Sequence, residues 1–203
     1  MIGIIDYGMG NVGSLVNMVE RLGVNTTIIT HPEDLDAADK LILPGVGSFD
    51  NGITRLKESR ILKPLNYKVL IEKTPILCIC LGMQLITKGS EEGRLNGLGW
   101  IDGECLRFTF DDKIIKIPHM GWNSVHFNKD SILIKLIPEN PRFYFVHSYY
   151  VKCNQQSDVL ATTNYISDFV SMFSRENIYA TQFHPEKSHR YGMGLIQSFI
   201  ELC

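Results

Sequence analysis

The sequence predicts an α/β fold: an open, mostly parallel sheet flanked by helices, with antiparallel strands appended. Three observations carry that expectation. In the first half, short β-branched runs alternate with helix-like stretches, as strands joined by crossover helices do. In the second half, short strand-like runs follow one another with turn residues between them. No repeat, linker or low-complexity segment breaks the 203 residues, so 1–203 reads as a single domain large enough to bury a real core.

Residues 2–6 form a β-branched run, the first strand. Asn11 stands where an N-cap belongs, and the helix over 12–22 stops at Gly23. Residues 26–30 give the second strand and 40–43 the third. Helices follow over 48–58 and 62–72. The apolar run 75–79 is the fourth strand, and 81–88 is the helix behind it. Runs 107–110, 114–117, 142–147, 159–163 and 169–173 read as short antiparallel strands. Residues 178–183 return to the core, and 191–202 close with a helix. In such open sheets, ligands bind beyond the carboxyl ends of the strands. Loop 7–10, loop 44–47, the turn at Cys80 and the stretch 184–186 all follow predicted strands. Four separate segments therefore converge on one edge.

Composition narrows the function classes. The net charge is -2, with no basic face or tail, which argues against nucleic acid as a partner. No apolar run is long enough to cross a bilayer, so no membrane role is expected. The start meets Asp6 too early for a signal peptide and lacks a positive leader, which predicts a cytoplasmic protein. The five cysteines are odd in number and irregularly spaced, which fits a reducing compartment rather than a disulfide framework. Cys78 and Cys80 lack a second cysteine pair, so neither a metal site nor a cofactor is expected.

Two motifs carry chemistry. Cys80 ends a strand-like run and opens a helix-like one, the strand–turn–helix setting of a nucleophile elbow. There the N–H of Leu81 lies at a helix N-terminus, where the dipole favours a thiolate and an oxyanion. Cys78 lies two residues back, where an elbow needs a small side chain, and reads as packing. His184-Pro185-Glu186 supplies a base and a carboxylate to orient it; a plain surface turn is the bland reading. The run 44–47 brackets Val46 between Gly45 and Gly47. A peptide plane rotates cheaply there, and an exposed N–H is placed to complete an oxyanion hole. Gly8, Gly10 and Gly13 match the dinucleotide-binding pattern, but Thr30 and His31 stand where its acid belongs. A tight loop beside the active edge is the preferred reading. Residues 118–123 read as a loop rich in amphipathic groups, either a satellite core or an interface.

These residues together resemble the class I, triad-type glutamine amidotransferases. Within them the chain is similar to the glutaminase subunits of imidazole glycerol phosphate synthase. The likeness runs through residues 6–11, 43–47, 80–84, 118–123, 147–149 and 183–187. It implies the class I glutamine amidotransferase fold, with Cys80 as nucleophile, His184 as proton shuttle and Glu186 as orienter. It implies that the Leu81 N–H and one from Gly45, Val46 or Gly47 hold the oxyanion. Gln84, Glu92, Ser148 and Tyr149 would grip the amino-acid end of L-glutamine. The implied partner is a (β/α)8-barrel cyclase subunit in a heterodimer. Ammonia freed into water becomes mostly ammonium, so a sheltered path to that partner is expected, as is a switch through 44–47 that spares glutamine when the partner is absent. Asn11, Met120, Trp122 and Lys187 are the interface candidates. Two positions depart from the family pattern: Cys78 stands where glycine is usual, and His189 where glutamine is. Paralogues that supply ammonia for surface-polysaccharide sugars, a related cysteine hydrolase and a dinucleotide-binding module are the rival readings.

Overall fold

The computed structural model describes residues 1–109, 116–165 and 167–203. The first half supplies four short strands: β1 (Ile2–Ile5), β2 (Thr26–Ile29), β3 (Lys40–Leu43) and β4 (Ile76–Ile79). They pair in parallel in the order β2-β1-β3-β4. The second half adds β5 (Gly103–Arg107), β6 (His119–Ser124), β7 (His126–Phe127), β8 (Arg142–His147) and β9 (Tyr149–Cys153). It ends with β10 (Val159–Tyr165), β11 (Ser167–Arg175) and β12 (Ile178–Thr181). Strand β12 lies parallel to β4 and is the hinge of the architecture. Beyond it the sheet turns antiparallel through β11, β10 and β7, while β9 branches from β11 and carries β5. Strands β6 and β8 form a separate antiparallel ribbon.

Among the described residues, five α-helices cover the sheet: α1 (Val12–Arg21), α2 (Phe49–Glu58), α3 (Leu62–Asn66), α4 (Leu81–Leu85) and α5 (His189–Leu202). Strand alternation sorts the core into two layers. Ile4, Ile42, Leu77 and Ile79 pack with Leu15 and Val19 of α1 and Leu195 and Phe199 of α5. Ile5, Leu41, Leu43 and Cys78 pack on the other face with Ile53 of α2, Leu65 of α3 and Leu85 of α4. A sheet covered on both faces explains why β1, β4 and β12 are buried at every position. It also leaves only the strand ends and loops to meet a ligand.

Several elements differ from the sequence reading. The sequence places strands over 107–110 and 114–117. The structure puts β5 earlier and ends it at Arg107, while Lys116 and Ile117 are in no strand. Residues 110–115, where the rest of both expected strands falls, lie outside the described residues. Gly103-Glu104-Cys105 has little intrinsic strand preference. Pairing with β9 decides, as tertiary context often does. The helix expected over 81–88 stops at Leu85. The carbonyls of Leu85, Ile86, Thr87 and Lys88 instead accept N–H groups from Leu98, Ile101, Gly99 and Gly97. The helix over 62–72 passes from α3 into a π-helical turn, Tyr67–Ile71. Residues 118–123 are not a loop: 119–124 is β6, paired in register from His119↔His147 to Ser124↔Arg142. Pro118 and Gly121 mask its period-two pattern, in which His119 is buried while Met120 is exposed. Asn11 occupies the N-cap position of α1, but its side chain makes no capping bond.

Candidate active site

Strand β4 ends at Ile79, and the chain turns at Cys80 with φ 54° and ψ -108°. A side-chain-bearing residue held there costs of order 1–3 kcal/mol, a strain typical of functional turns. The Cys80 N–H is anchored to the Thr181 carbonyl at 2.7 Å, tying the elbow to the end of β12. Two residues on, a Cβ on Gly82 would collide with the Leu43 carbonyl oxygen. Only glycine lets α4 start this close to β3.

The chain beyond β12 brings up the base. His184 is buried, and its N–H bonds the Tyr144 carbonyl at 2.9 Å. Pro185–Lys187 forms a 3-10 turn. The sequence reading sets His184 and Glu186 on an extended chain; the turn instead closes them to 2.8 Å between Nδ1 and Oε1, with both side chains 2% exposed. Nε2 of His184 is buried without a hydrogen-bond partner among the described residues, which frees it to exchange a proton. Burial disfavours the imidazolium, but the Cys80 sulfur and then the Glu186 carboxylate outweigh it and raise His184 to about 10. A thiol, a base and a buried orienter are thus in one place.

Cys80 and His184 open on a cavity of about 320 Å³. Its lining includes Val46, Gly47, Leu81, Gln84, Glu92, Ser148 and Tyr149, along with Pro118, Val146 and His147. Of the residues assigned from sequence to catalysis, oxyanion and glutamine, Gly45 and Glu186 alone are absent from this lining; each bonds a residue that is in it, Gly45 to Leu81 and Glu186 to His184. The Tyr7 hydroxyl donates to the Pro44 carbonyl at 2.9 Å and so pins the start of the 44–47 turn. The Leu81 N–H donates to the Gly45 carbonyl at 3.3 Å. One expected oxyanion donor is therefore engaged by the loop expected to supply the other. Gly47 has φ 113°, a conformation that favours glycine.

The amino-acid-binding candidates are partly used by the protein itself. Gln84 donates from Nε2 to the Tyr149 carbonyl at 3.2 Å and to Oε1 of Gln182 at 3.1 Å. Glu92 accepts the Phe49 N–H at 2.8 Å, closing the N-terminus of α2 where the Ser48 side chain makes no cap bond. Asp50 accepts the N–H groups of Arg94 and Leu95, which ties the loop carrying Glu92 to that helix.

The interface candidates are separate from the cavity. Met120 is 62% and Trp122 37% exposed. Trp122 stacks on His189 with ring centroids 5.5 Å apart, and Lys187 holds its ammonium 5.7 Å from the Tyr144 ring. Trp122 also meets Tyr144 edge-on, so these groups form one patch beside the Pro185–Lys187 turn. Asn11 is half-buried at the start of α1.

Sequence reasoning missed three residues here. Gln182 is fully buried and reaches the Cys80 sulfur; its only signal is its place two residues before His184. His119 and His147 form a buried hydrogen-bonded pair, visible only once β6 is paired with β8. Among the described residues, no cluster of His, Cys, Asp or Glu is arranged to hold a metal ion, and no helix is long and apolar enough to cross a membrane.

The model of the glutamine amidotransferase class-I family matches residues 3–202. The imidazole glycerol phosphate synthase subunit HisH 2 of Methanococcus maripaludis is 55% identical over 201 residues, 99% of each chain. HisH of Leptospira borgpetersenii is 47% identical, and HisH 2 of Pseudomonas aeruginosa 45% identical, each over all of both chains. Among solved structures, a glutamine amidotransferase superposes with a TM-score of 0.75 at 18% identity, covering 99% of this chain and 97% of its own. PurLQS from Thermotoga maritima gives 0.70 at 17% identity, covering 98% and 96%. At these identities the structures speak for the fold.

Proposed function

The chain belongs to the class-I glutamine amidotransferases and, within them, to the HisH subunits of imidazole glycerol phosphate synthase; from that premise we propose how its site works. L-Glutamine enters the cavity with its side-chain amide over Cys80. The sulfur attacks the amide carbon, and the carbonyl oxygen takes the negative charge. His184, held as imidazolium by the sulfur and Glu186, gives its proton to the departing ammonia. A glutamyl thioester remains on Cys80. Water attacks it with His184 now as base, and L-glutamate leaves. The observation that carries this reading is the Cys80, His184 and Glu186 arrangement at the wall of a cavity of suitable size.

Gln84, Glu92, Ser148 and Tyr149 hold the amino-acid end. Both Nε2 hydrogens of Gln84 are used within the protein, which leaves its carbonyl oxygen to accept from the ligand's ammonium. The relatives named above are themselves subunits, and their similarity to this chain is full-length. This supports a separate ring-closing cyclase as the acceptor of ammonia rather than a sugar-amidating enzyme. Met120, Trp122, Lys187 and Asn11 are the surface on which that partner docks. In the free subunit the oxyanion hole is incomplete. Rotating the Gly45–Val46 peptide would release the Leu81 N–H and turn the Val46 N–H inward, which is how docking would activate hydrolysis.

A glutamine analogue carrying an electrophile in place of its side-chain amide tests the site. It should modify Cys80 alone, and glutamine should protect. Labelling elsewhere, or labelling that glutamine does not slow, would overturn the assignment.

A further inference from the structure

We propose that Gln182 is a further catalytic residue, whose side-chain amide donates to the Cys80 thiolate and is held in that orientation by a buried hydrogen-bonded chain. The proposal rests on the glutaminase reading only for what the thiolate attacks.

The contact is direct. Gln182 Nε2 lies 3.8 Å from Cys80 Sγ, and the residue is fully buried. An amide can turn either end toward a sulfur, so the orientation must be argued from neighbours. The Tyr149 carbonyl can only accept. It takes one bond from Gln84 at 3.2 Å, which must therefore come from the NH2 end. The second hydrogen of that NH2 goes to Gln182 at 3.1 Å, so Gln182 meets it with its oxygen. The NH2 of Gln182 is left facing Cys80.

The far side of the chain is fixed by the same logic. His147 Nδ1 stands 2.8 Å from the Tyr149 carbonyl and must carry the proton. Its Nε2 is then an acceptor, filled at 3.0 Å by Nδ1–H of His119. His119 in turn presents Nε2 to the Asn123 amide at 3.3 Å, and that amide also donates to the Asn164 carbonyl. Gln84 and Gln182 cannot reverse without leaving a buried group unpaired, because the Tyr149 carbonyl only accepts. The chain's polarity ends on the sulfur as a donor.

A donor discriminates between the two forms of Cys80. The thiolate is the better acceptor, so an N–H aimed at it shifts the balance from thiol toward thiolate. His147 holds the Tyr149 carbonyl to which Gln84 donates, and His119 holds His147, so both are positioning residues.

The test is the pH profile of Cys80 alkylation by iodoacetamide, read on the Cys80 peptide by mass spectrometry in the whole chain. Gln182→Met keeps the length and removes the donor; Gln182→Glu keeps the shape and opposes a thiolate with a carboxylate. In Gln182→Met the midpoint should rise by about one pH unit, roughly tenfold in thiolate at fixed pH. In Gln182→Glu it should rise further. Glutamine turnover in Gln182→Met should drop at least about tenfold in kcat, with KM changed far less. Profiles that superimpose on wild type in either folded variant would overturn the proposal. Failure of both variants to fold would assign Gln182 to the core and overturn it too. A wild-type chain with its partner that released no glutamate would sink the glutaminase reading instead, leaving the alkylation result unaffected.

Discussion

Cys78 and Cys80 differ by one strand repeat, and the structure gives them different surroundings. Cys78 is fully enclosed between β3 and β12, and burial pushes its thiol far above the ordinary range. Cys80 lines the cavity at the strained turn. Cys78→Ala should therefore keep glutaminase activity, measured as glutamate release with the partner present; loss of turnover in a folded variant would contradict this. His184→Asn should cost several orders of magnitude in turnover. Glu186→Gln should cost less, by roughly tenfold or more, because the orienter acts only through the base. Unfolding of the Gln variant as the source of its loss would give Glu186 a structural role. His119 and His147 are held neutral: burial lowers them to about 4 and about 3. The unfolded chain protonates both near pH 6.5, so it binds more protons than the native state below that pH. Stability should fall from pH 6.5 toward pH 4, by up to about 1.4 kcal/mol per pH unit for each histidine. Urea unfolding at several pH values checks the slope, and His119→Gln should roughly halve it. A pH-independent midpoint across this window would contradict the neutral pair.

Strand β6 joins two proposed roles by alternation. Its His119 faces the buried chain and its Met120 and Trp122 face outward. Trp122→Ala should weaken binding to the cyclase by about 2 kcal/mol or more if it is an anchor, with the free fold unchanged. Isothermal titration measures this, and an unchanged affinity would return Trp122 to local packing against His189. The 44–47 turn is the second element with a testable role. A Cβ on Gly45 would meet the Tyr7 hydroxyl and the Leu81 Cβ at 2.7 and 2.8 Å, so substitution there disturbs the whole site. At Gly47 a Cβ would meet only the flexible end of Met9, while φ 113° still opposes alanine. Gly47→Ala should blunt activation by the partner while leaving Cys80 open to alkylation. A missing oxyanion donor costs roughly 3–4 kcal/mol, two to three orders of magnitude in rate, so the response has room to be seen. A variant activated as fully as wild type would show that activation does not draw on the backbone freedom of Gly47.

Across the whole molecule, the parallel half was legible because β1, β3 and β4 are near-continuous apolar runs, and a doubly covered sheet requires that pattern. The convergence of 7–10, 44–47, Cys80 and 184–186 on one edge followed from topology alone. The antiparallel half was less legible. β5 and β6 have weak strand preference, and their partners are distant in sequence. The buried chain through Asn123, His119, His147, Tyr149, Gln84 and Gln182 was hidden for the same reason: it spans four elements. The most direct test of the account reconstitutes the chain with the proposed cyclase subunit and compares wild type with Cys80→Ala, reading glutamate and the cyclase product together. Wild type should release the two in step from glutamine. Cys80→Ala should form product only when ammonium salts are supplied, and no glutamate. Glutamate release that survives Cys80→Ala would contradict the central claim.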